Sequence, residues 1–225
     1  MKRIALLMAL ALPLAPTPAV AQKAAAADWT GTVKVTEAGG YLMGNPDAPV
    51  RLVEYVSLTC GHCATFHQAG MPALVRDYVA TGQVSLEMRN FPLNVVDLIA
   101  ATASRCVGTD RYFEVTASLL GSQGDWINAF QTADRALLET LASRNDVMGL
   151  VSVGGIDGVL VGGGDRAAIT ACANDMTTAM ALDRMAKAAR TAGVNGTPTF
   201  SINDGLVAVH DWASLKPLID KALAE

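Results

Sequence analysis

The fold is decided by residues 50–63, which read VRLVEYVSLTCGHC. The first eight, Val50 to Ser57, are rich in β-branched and aromatic residues, and this composition predicts a buried strand. From Cys63 to Val79 the apolar residues recur at helical spacing, which predicts a helix with a kink at Pro72. The two cysteines of this stretch therefore lie where a strand passes into a helix.

Cys60-Gly61-His62-Cys63 is a C-x-x-C motif. A disulfide across so short a ring stabilises a fold little by loop entropy, so the spacing indicates redox chemistry or metal binding. A closed zinc site needs four ligands, and no second C-x-x-C or pair of closely spaced histidines stands near enough to complete one convincingly. Redox chemistry is the favoured interpretation, we expect no metal, and a metal site is the alternative.

The two cysteines are expected to differ in reactivity. Cys60 lies at the predicted helix start, where unpaired N–H groups and the helix dipole favour an anion, so its pKa should lie below that of free cysteine. Cys63, one turn further along, should be shielded and act as the resolving thiol. His62 can stabilise the Cys60 thiolate by charge or by a hydrogen bond, which would make the disulfide a better oxidant.

Composition and charge exclude several classes of protein. Of 225 residues 51% are hydrophobic and 17% are charged, which is ample for a buried core and excludes a disordered chain. The formal net charge is −4, and no concentrated Lys/Arg surface is visible, so we expect no nucleic-acid partner. No repeat of 20 to 50 residues indicates a solenoid or propeller.

The N-terminal segment has the pattern of a secretion signal. Lys2 and Arg3 precede an apolar run over residues 4–14, and small residues at 19–21 offer a cleavage site. We expect a signal peptide at 1–21 and a flexible lead at 22–30, with export to an oxidising compartment, the periplasm in a bacterium. A retained membrane span is the alternative, although the run is shorter than the roughly 20 residues that a bilayer requires.

Two further cysteines, Cys106 and Cys172, stand outside the C-x-x-C motif. An exported chain with an even number of cysteines can pair them all, so we expect these two to form a structural disulfide between helices. Two separate buried thiols are the alternative, because free cysteine is a common small core residue.

The remaining pattern separates a mixed region from a helical one. Strands are expected at both ends of the chain, and helices dominate the middle, as is typical of an α/β protein with a helical insertion. The expected strands, besides 50–57, are 32–36, 84–90, 199–203 and 206–209, and the expected helical segments after residue 94 are 98–103, 112–120, 136–141, 167–189 and 214–223.

The strand leading into the C-x-x-C motif, together with the distant GVNGTPTF at 193–200, resembles the thioredoxin superfamily and its DsbA-like group of exported thiol–disulfide oxidoreductases. The resemblance covers nearly the whole chain after residue 21. It implies a thioredoxin fold, a central mixed sheet flanked by helices, in two parts at 31–93 and 193–225 with an all-helical domain inserted at 94–192. The Gly-His dipeptide between the cysteines departs from the Pro-His of DsbA and is similar to protein disulfide isomerase.

The resemblance also assigns roles to residues around the motif. It implies that Pro198 follows a cis peptide bond beside the active-site cysteines and that the backbone of Thr197 pairs with an extended client chain. It implies that Glu54, six residues before Cys60, exchanges protons with the buried cysteine. Arg89 is considered as a partner for Glu54, although strand alternation could place it on the opposite face. His67 and His210 are expected to be solvated.

The function expected from these features is an exported enzyme that introduces disulfides into reduced client proteins, without a cofactor and as a monomer. The resemblance implies that a DsbB-like membrane protein restores the active-site disulfide. The close alternative is a periplasmic disulfide reductase or isomerase, which the Gly-His dipeptide favours. A noncatalytic chaperone or a metal-binding module is the alternative from another class.

Overall fold

The computed structural model describes residues 28–162 and 164–225, and the predicted signal peptide at 1–21 lies outside them. Trp29–Gly31, which overlap the end of the predicted lead, form a 3-10 turn, and the Trp29 N–H donates to the carbonyl of Ala80 at 3.2 Å. Within the described ranges, no helix is both long and apolar enough to cross a bilayer.

A six-stranded mixed sheet forms the centre of the molecule. Its order is β1-β2-β4-β3-β5-β6; β3 and β4 are parallel, and every other neighbouring pair is antiparallel. The predicted mixed sheet is confirmed, but the short strand β2 was not predicted. The strands are β1 (Val33–Val35), β2 (Tyr41–Met43), β3 (Val50–Val56), β4 (Val84–Asn90), β5 (Thr199–Ile202) and β6 (Gly205–Val207).

Helices flank this sheet and fill the span between β4 and β5. Among the described residues, α1 (Gly61–Ala69) and α2 (Met71–Leu74) follow β3, and α2 continues as a π-helical turn at Val75–Val79. The last helix, α11 (Trp212–Ala224), follows β6. Between β4 and β5 lie α3 (Val95–Ser104), α4 (Tyr112–Gly121), α5 (Gln123–Thr132), α6 (Arg135–Ser143), α7 (Val147–Val153), α8 (Asp157–Val161), α9 (Arg166–Asn174) and α10 (Met176–Thr191).

Two predicted helices are divided in the structure. The helix after the C-x-x-C motif breaks at Gly70, and Pro72 lies in the first turn of α2, where a missing N–H costs no hydrogen bond. The prediction of one helix over 167–189 is wrong, because Asp175 has extended backbone (φ −80°, ψ 121°) between α9 and α10. Its carboxylate accepts from the N–H of Thr177 at 3.0 Å and so caps the start of α10.

The alternation of β3 assigns its side chains to two layers. Leu52 and Val56 belong to the larger core, which includes Cys63 and continues into the helices between β4 and β5. Val53 and Tyr55 point to the other face, where they form a second buried cluster that includes Ala186 and Ala189 of α10. Thus α10, although it lies within the predicted insertion at 94–192, covers one face of the sheet.

The structure joins Cys106, which follows α3, to Cys172 in α9. The two residues are 66 positions apart in sequence, and their Cα atoms are 5.7 Å apart. This is the pair that the cysteine count assigned to a structural disulfide. The bond ties two helices of the segment between β4 and β5.

Candidate active site

The C-x-x-C motif begins α1. Cys60 occupies the N-cap position with extended backbone, and Cys63 lies in the first turn. Both are free thiols; the side chain of Cys60 is half-buried, whereas Cys63 is 0% exposed. Of these two cysteines, only Cys60 can therefore contact a thiol of another protein without movement of the chain.

The surroundings stabilise a thiolate on Cys60. Hydrogen bonding from the Cys63 thiol lowers the pKa of Cys60 to about 5, and hydrogen bonds from Thr197 and from the backbone N–H groups of Cys63 and His62 act in the same direction against the effect of burial. In its protonated form the Cys60 thiol lies 3.1 Å from the carbonyl oxygen of Thr197, to which it donates. Cys60 can thus carry a negative charge at neutral pH.

Cys63 has the opposite character. Burial raises the pKa of the Cys63 thiol well above that of a free cysteine, and its hydrogen bond to Cys60 and the negative charge of Glu54 add to the increase. A thiolate formed on Cys63 is therefore unstable and readily takes up a proton. The motif combines one thiol that ionises readily with one that holds its proton.

This difference predicts selective alkylation. In reduced protein treated with iodoacetamide, the Cys60 rate should be constant above pH 6 and fall as the pH drops through about 5, because the thiolate is the nucleophile and is lost below its pKa. Cys63 should react at least roughly 100-fold more slowly at pH 6. Peptide mass spectrometry measures both rates, and comparable labelling of the two residues would contradict the assignment.

Glu54 is buried beneath the motif, and its partner is His67. The Glu54 side chain is 0% exposed and that of His67 is 5% exposed. The Nε2 atom of His67 lies 3.2 Å from Oε1 and 3.1 Å from Oε2 of Glu54. The prediction of a solvated His67 is wrong, because α1 packs its inner face against β3.

Arg89 does not contact Glu54. Its guanidinium donates from Nε at 2.7 Å to one oxygen of Glu87 and from a terminal nitrogen at 2.9 Å to the other, and it also lies 3.3 Å from the hydroxyl of Tyr55. In the parallel pairing of β3 with β4, Glu54 is opposite Met88. Arg89 is one residue further along and points to the other face of the sheet, so the suggested pairing with Glu54 is wrong.

The segment before β5 lies beside Cys60. The Thr197–Pro198 peptide bond is cis. The carbonyl of Pro198 lies 2.8 Å from Nδ1 of His210, and His210 is exposed to solvent, as predicted. A groove of about 540 Å³ runs along this segment, and its lining residues are His62, Gly193, Asn195, Gly196, Thr197, Thr199, Leu206, Val207, Ala208 and His210.

Asp97 is a supporting residue that the sequence analysis missed. Its carboxylate is 1% exposed and accepts hydrogen bonds from the Ser57 hydroxyl and from the N–H groups of Leu58, at 3.0 Å, and Leu93, at 2.9 Å. Burial raises its pKa, although these hydrogen bonds oppose the change. A lone aspartate in the first turn of the otherwise apolar helix α3 was the available signal.

Gln123, at the start of α5, was missed as well. Its side-chain amide donates to the carbonyls of Leu58 at 2.8 Å and Cys60 at 3.0 Å. Asp97 and Gln123 thus fix the loop before Cys60 from two different helices. Nothing in the sequence around Gln123 indicates this role, because the contact spans 63 residues of chain.

Within residues 28–162 and 164–225, no group of three or more His, Cys, Asp or Glu side chains is placed to hold a metal ion. The two motif cysteines form a hydrogen bond with each other, and the backbone around them donates further hydrogen bonds to their sulfur atoms. The arrangement is suited to exchange of a disulfide with another thiol.

Comparisons with known proteins agree with the fold. A family model described as thioredoxin matches residues 36–221. A Rickettsia conorii protein provisionally named a protein-disulfide oxidoreductase is 29% identical over 198 residues; the match covers 86% of this chain, and this chain spans 65% of that relative's length.

Two solved structures share the fold over most of both chains. Protein-disulfide isomerase from Novosphingobium aromaticivorans is 33% identical with a TM-score of 0.72, over 82% of this chain and 97% of that one. Wolbachia pipientis alpha-DsbA1 is 26% identical with a TM-score of 0.61, over 82% and 91%. Sequence, fold and site agree, and the chain belongs to the thioredoxin family, within its DsbA-like group of thiol–disulfide oxidoreductases.

Proposed function

We propose that this chain introduces disulfides into reduced client proteins through Cys60 and Cys63. The observation that carries the proposal is the difference between the two thiols: the pKa of Cys60 is lowered to about 5, while that of the buried Cys63 is raised. A stabilised Cys60 thiolate favours the reduced enzyme. Its disulfide is correspondingly a stronger oxidant.

The reaction follows from this difference. A client thiolate attacks the sulfur of Cys60 in the oxidised enzyme, the bond between the two cysteines breaks, and Cys63 leaves with the electron pair and takes a proton. Glu54 is proposed to give that proton in its protonated form and to take it back as a carboxylate when Cys63 re-forms the disulfide, because it is buried beneath the motif and its charge acts on Cys63. A second client thiolate then attacks the client sulfur and releases the Cys60 thiolate. The client loses two electrons, and the enzyme gains them.

The groove beside Pro198 is the proposed client site. Pairing with the Thr197 backbone needs no particular client sequence, and His62 and Leu206 line the same groove. We further propose that the enzyme acts as a monomer in the periplasm after removal of residues 1–21. A DsbB-like membrane protein would then restore the disulfide.

The reduction potential tests the oxidant role. The protein is equilibrated with glutathione buffers, and the ratio of reduced to oxidised Cys60–Cys63 is measured by mass spectrometry after acid quenching. We expect a value between about −120 and −200 mV, because the potential rises as the reduced form is stabilised. A value near that of thioredoxin, about −270 mV, would contradict the oxidant role.

Isomerase activity is the second candidate. The Gly-His dipeptide of the motif favours it, as does the similarity to the Novosphingobium protein-disulfide isomerase. Refolding of ribonuclease separates the two functions. An isomerase in its reduced form restores the activity of scrambled ribonuclease. An oxidant restores activity only to reduced ribonuclease, and only when the oxidant itself is supplied in its disulfide form.

A further inference from the structure

His67 has no role in the reaction described so far, yet it is in direct contact with Glu54. It follows Cys63 by four residues on α1, so both side chains lie on the same face of that helix. The His67 side chain is 5% exposed and that of Glu54 is 0% exposed. Burial of two such polar groups is costly unless each satisfies the other.

The contact defines which atom of His67 donates. Nε2 lies 3.2 Å and 3.1 Å from the two carboxylate oxygens of Glu54, so one N–H is shared between them. Nδ1 is buried and has no hydrogen-bond partner among the described residues. A proton on Nδ1 would be an unsatisfied buried donor, and the proton of a neutral ring therefore belongs on Nε2.

The strand residues in register with Glu54, among those that the structure describes, carry no charge. In register with Glu54 on the neighbouring strands are Met88 of β4 and Phe200 of β5, and neither ionises. On α1, the thiol of Cys63 is the ionisable group on which the charge of Glu54 acts, and His62 is exposed to solvent.

The last helix, α11, carries the charged residues Asp220 and Lys216, which are hydrogen-bonded to each other. Asp220 of α11 accepts from the hydroxyl of Tyr78 and from Lys216, each at 2.6 Å. Among the described residues, Glu54 is the carboxylate whose charge raises the pKa of Cys63. His67 therefore acts on the reacting thiols through Glu54.

We propose that His67 is a positioning residue whose Nε2–H holds Glu54 as a charged carboxylate, ready to accept the proton of Cys63 when Cys63 attacks a mixed disulfide at Cys60. The inference rests on the proposed exchange function. Without the donor, the carboxylate of Glu54 would lose the hydrogen bond that favours its charged form, and only the charged form can accept the proton of Cys63.

The step balances in atoms and electrons. The Cys63 thiol gives its proton to Glu54, and the sulfur electron pair forms a bond with the sulfur of Cys60. The bond between Cys60 and the outer sulfur breaks, and the outer sulfur leaves as a thiolate. Disulfide is exchanged for disulfide, and no further oxidant is needed.

The experiment follows reduced protein as it reacts with oxidised glutathione, with acid quenching to separate formation of the Cys60–glutathione mixed disulfide from its resolution by Cys63. His67→Phe should slow resolution about tenfold at pH 7, the effect expected of one hydrogen bond to a charged group, and leave the first step unchanged. His67→Gln should restore resolution, since its amide can donate. Gln68→Phe, at an exposed neighbouring position, is the matched control.

The pH profile and a double variant separate positioning from a structural effect. The deficit of His67→Phe should shrink as pH rises, because the lost hydrogen bond favours the charged carboxylate and a higher pH favours that form as well. Glu54→Gln should be slow with or without His67→Phe. Normal resolution in His67→Phe, or additive losses in the double variant, would overturn the proposal.

A measurement on the unaltered protein applies if the variants do not fold. The ¹⁵N shifts of the His67 ring should show a proton on Nε2, and a ring whose single proton lies on Nδ1 would overturn the proposal. Failure of the unaltered enzyme to react with oxidised glutathione would instead contradict the proposed function.

Discussion

Cys60→Ala should abolish thiol–disulfide exchange, with a rate loss of about 1,000-fold or more, because the variant lacks the one thiol that is both accessible and ionised near neutral pH. Cys63→Ser should still form a mixed disulfide when its Cys60 thiolate attacks a disulfide of a client and one client sulfur leaves as a thiolate, but the variant lacks the thiol that resolves this bond. Client proteins should therefore accumulate on this variant, and non-reducing electrophoresis with mass spectrometry detects them.

The two variants are each other's control, since they differ in which half of the exchange is lost. Capture of clients through Cys63 in the Cys60→Ala protein would contradict the assigned roles. Prevention of client aggregation by a Cys60→Ala/Cys63→Ala variant, with no exchange activity in the unaltered protein, would favour the chaperone alternative.

Removal of the Cys106–Cys172 bond should lower the free energy of unfolding by about 4 kcal/mol, because the bond closes a long loop and so restricts the unfolded chain. The loop spans 66 positions of sequence. Urea denaturation of Cys106→Ala/Cys172→Ala against the unaltered protein measures the change.

Two controls accompany this measurement. The bond should survive glutathione concentrations that reduce Cys60–Cys63, because neither of its sulfurs has the stabilisation that makes Cys60 a good leaving group. The unaltered protein should therefore keep its stability in such buffers. A loss below about 1 kcal/mol in the alanine variant would show that the bond does not restrict the unfolded chain as expected.

Local patterns were enough to predict the elements that carry the motif. The strand over 50–57 agrees with β3, which is rich in β-branched and aromatic residues. The strand over 84–90 agrees with β4, in which the apolar residues Val84, Leu86 and Met88 alternate with polar ones. The helix over 167–189 failed for a local reason: Asp175 is compatible with a helix by periodicity, but here it serves as a cap. Three-residue β2 is too short to give a period.

The site was predictable where its chemistry is encoded in spacing and less so where it depends on packing. The C-x-x-C spacing located Cys60 and Cys63. The partner of Glu54 could not be predicted from charge alone. Arg89 is a cation on the next predicted strand, but it pairs with Glu87. The residue that contacts Glu54 is His67, which lies on the inner face of α1. Asp97 and Gln123 contact the loop from separate helices, and no sequence window contains both partners.

The hydrogen bonds of Gln123 have a consequence for the order in which the protein becomes active. They join residues 65 and 63 positions apart, and the contact between Cys60 and Thr197 spans 137. Contacts of such sequence separation form late, since loop closure must be completed before they stabilise the chain. A nascent chain therefore carries both motif cysteines long before their surroundings exist. If the protein introduces disulfides into client chains as proposed, its own folding must be complete before Cys60 reacts with them.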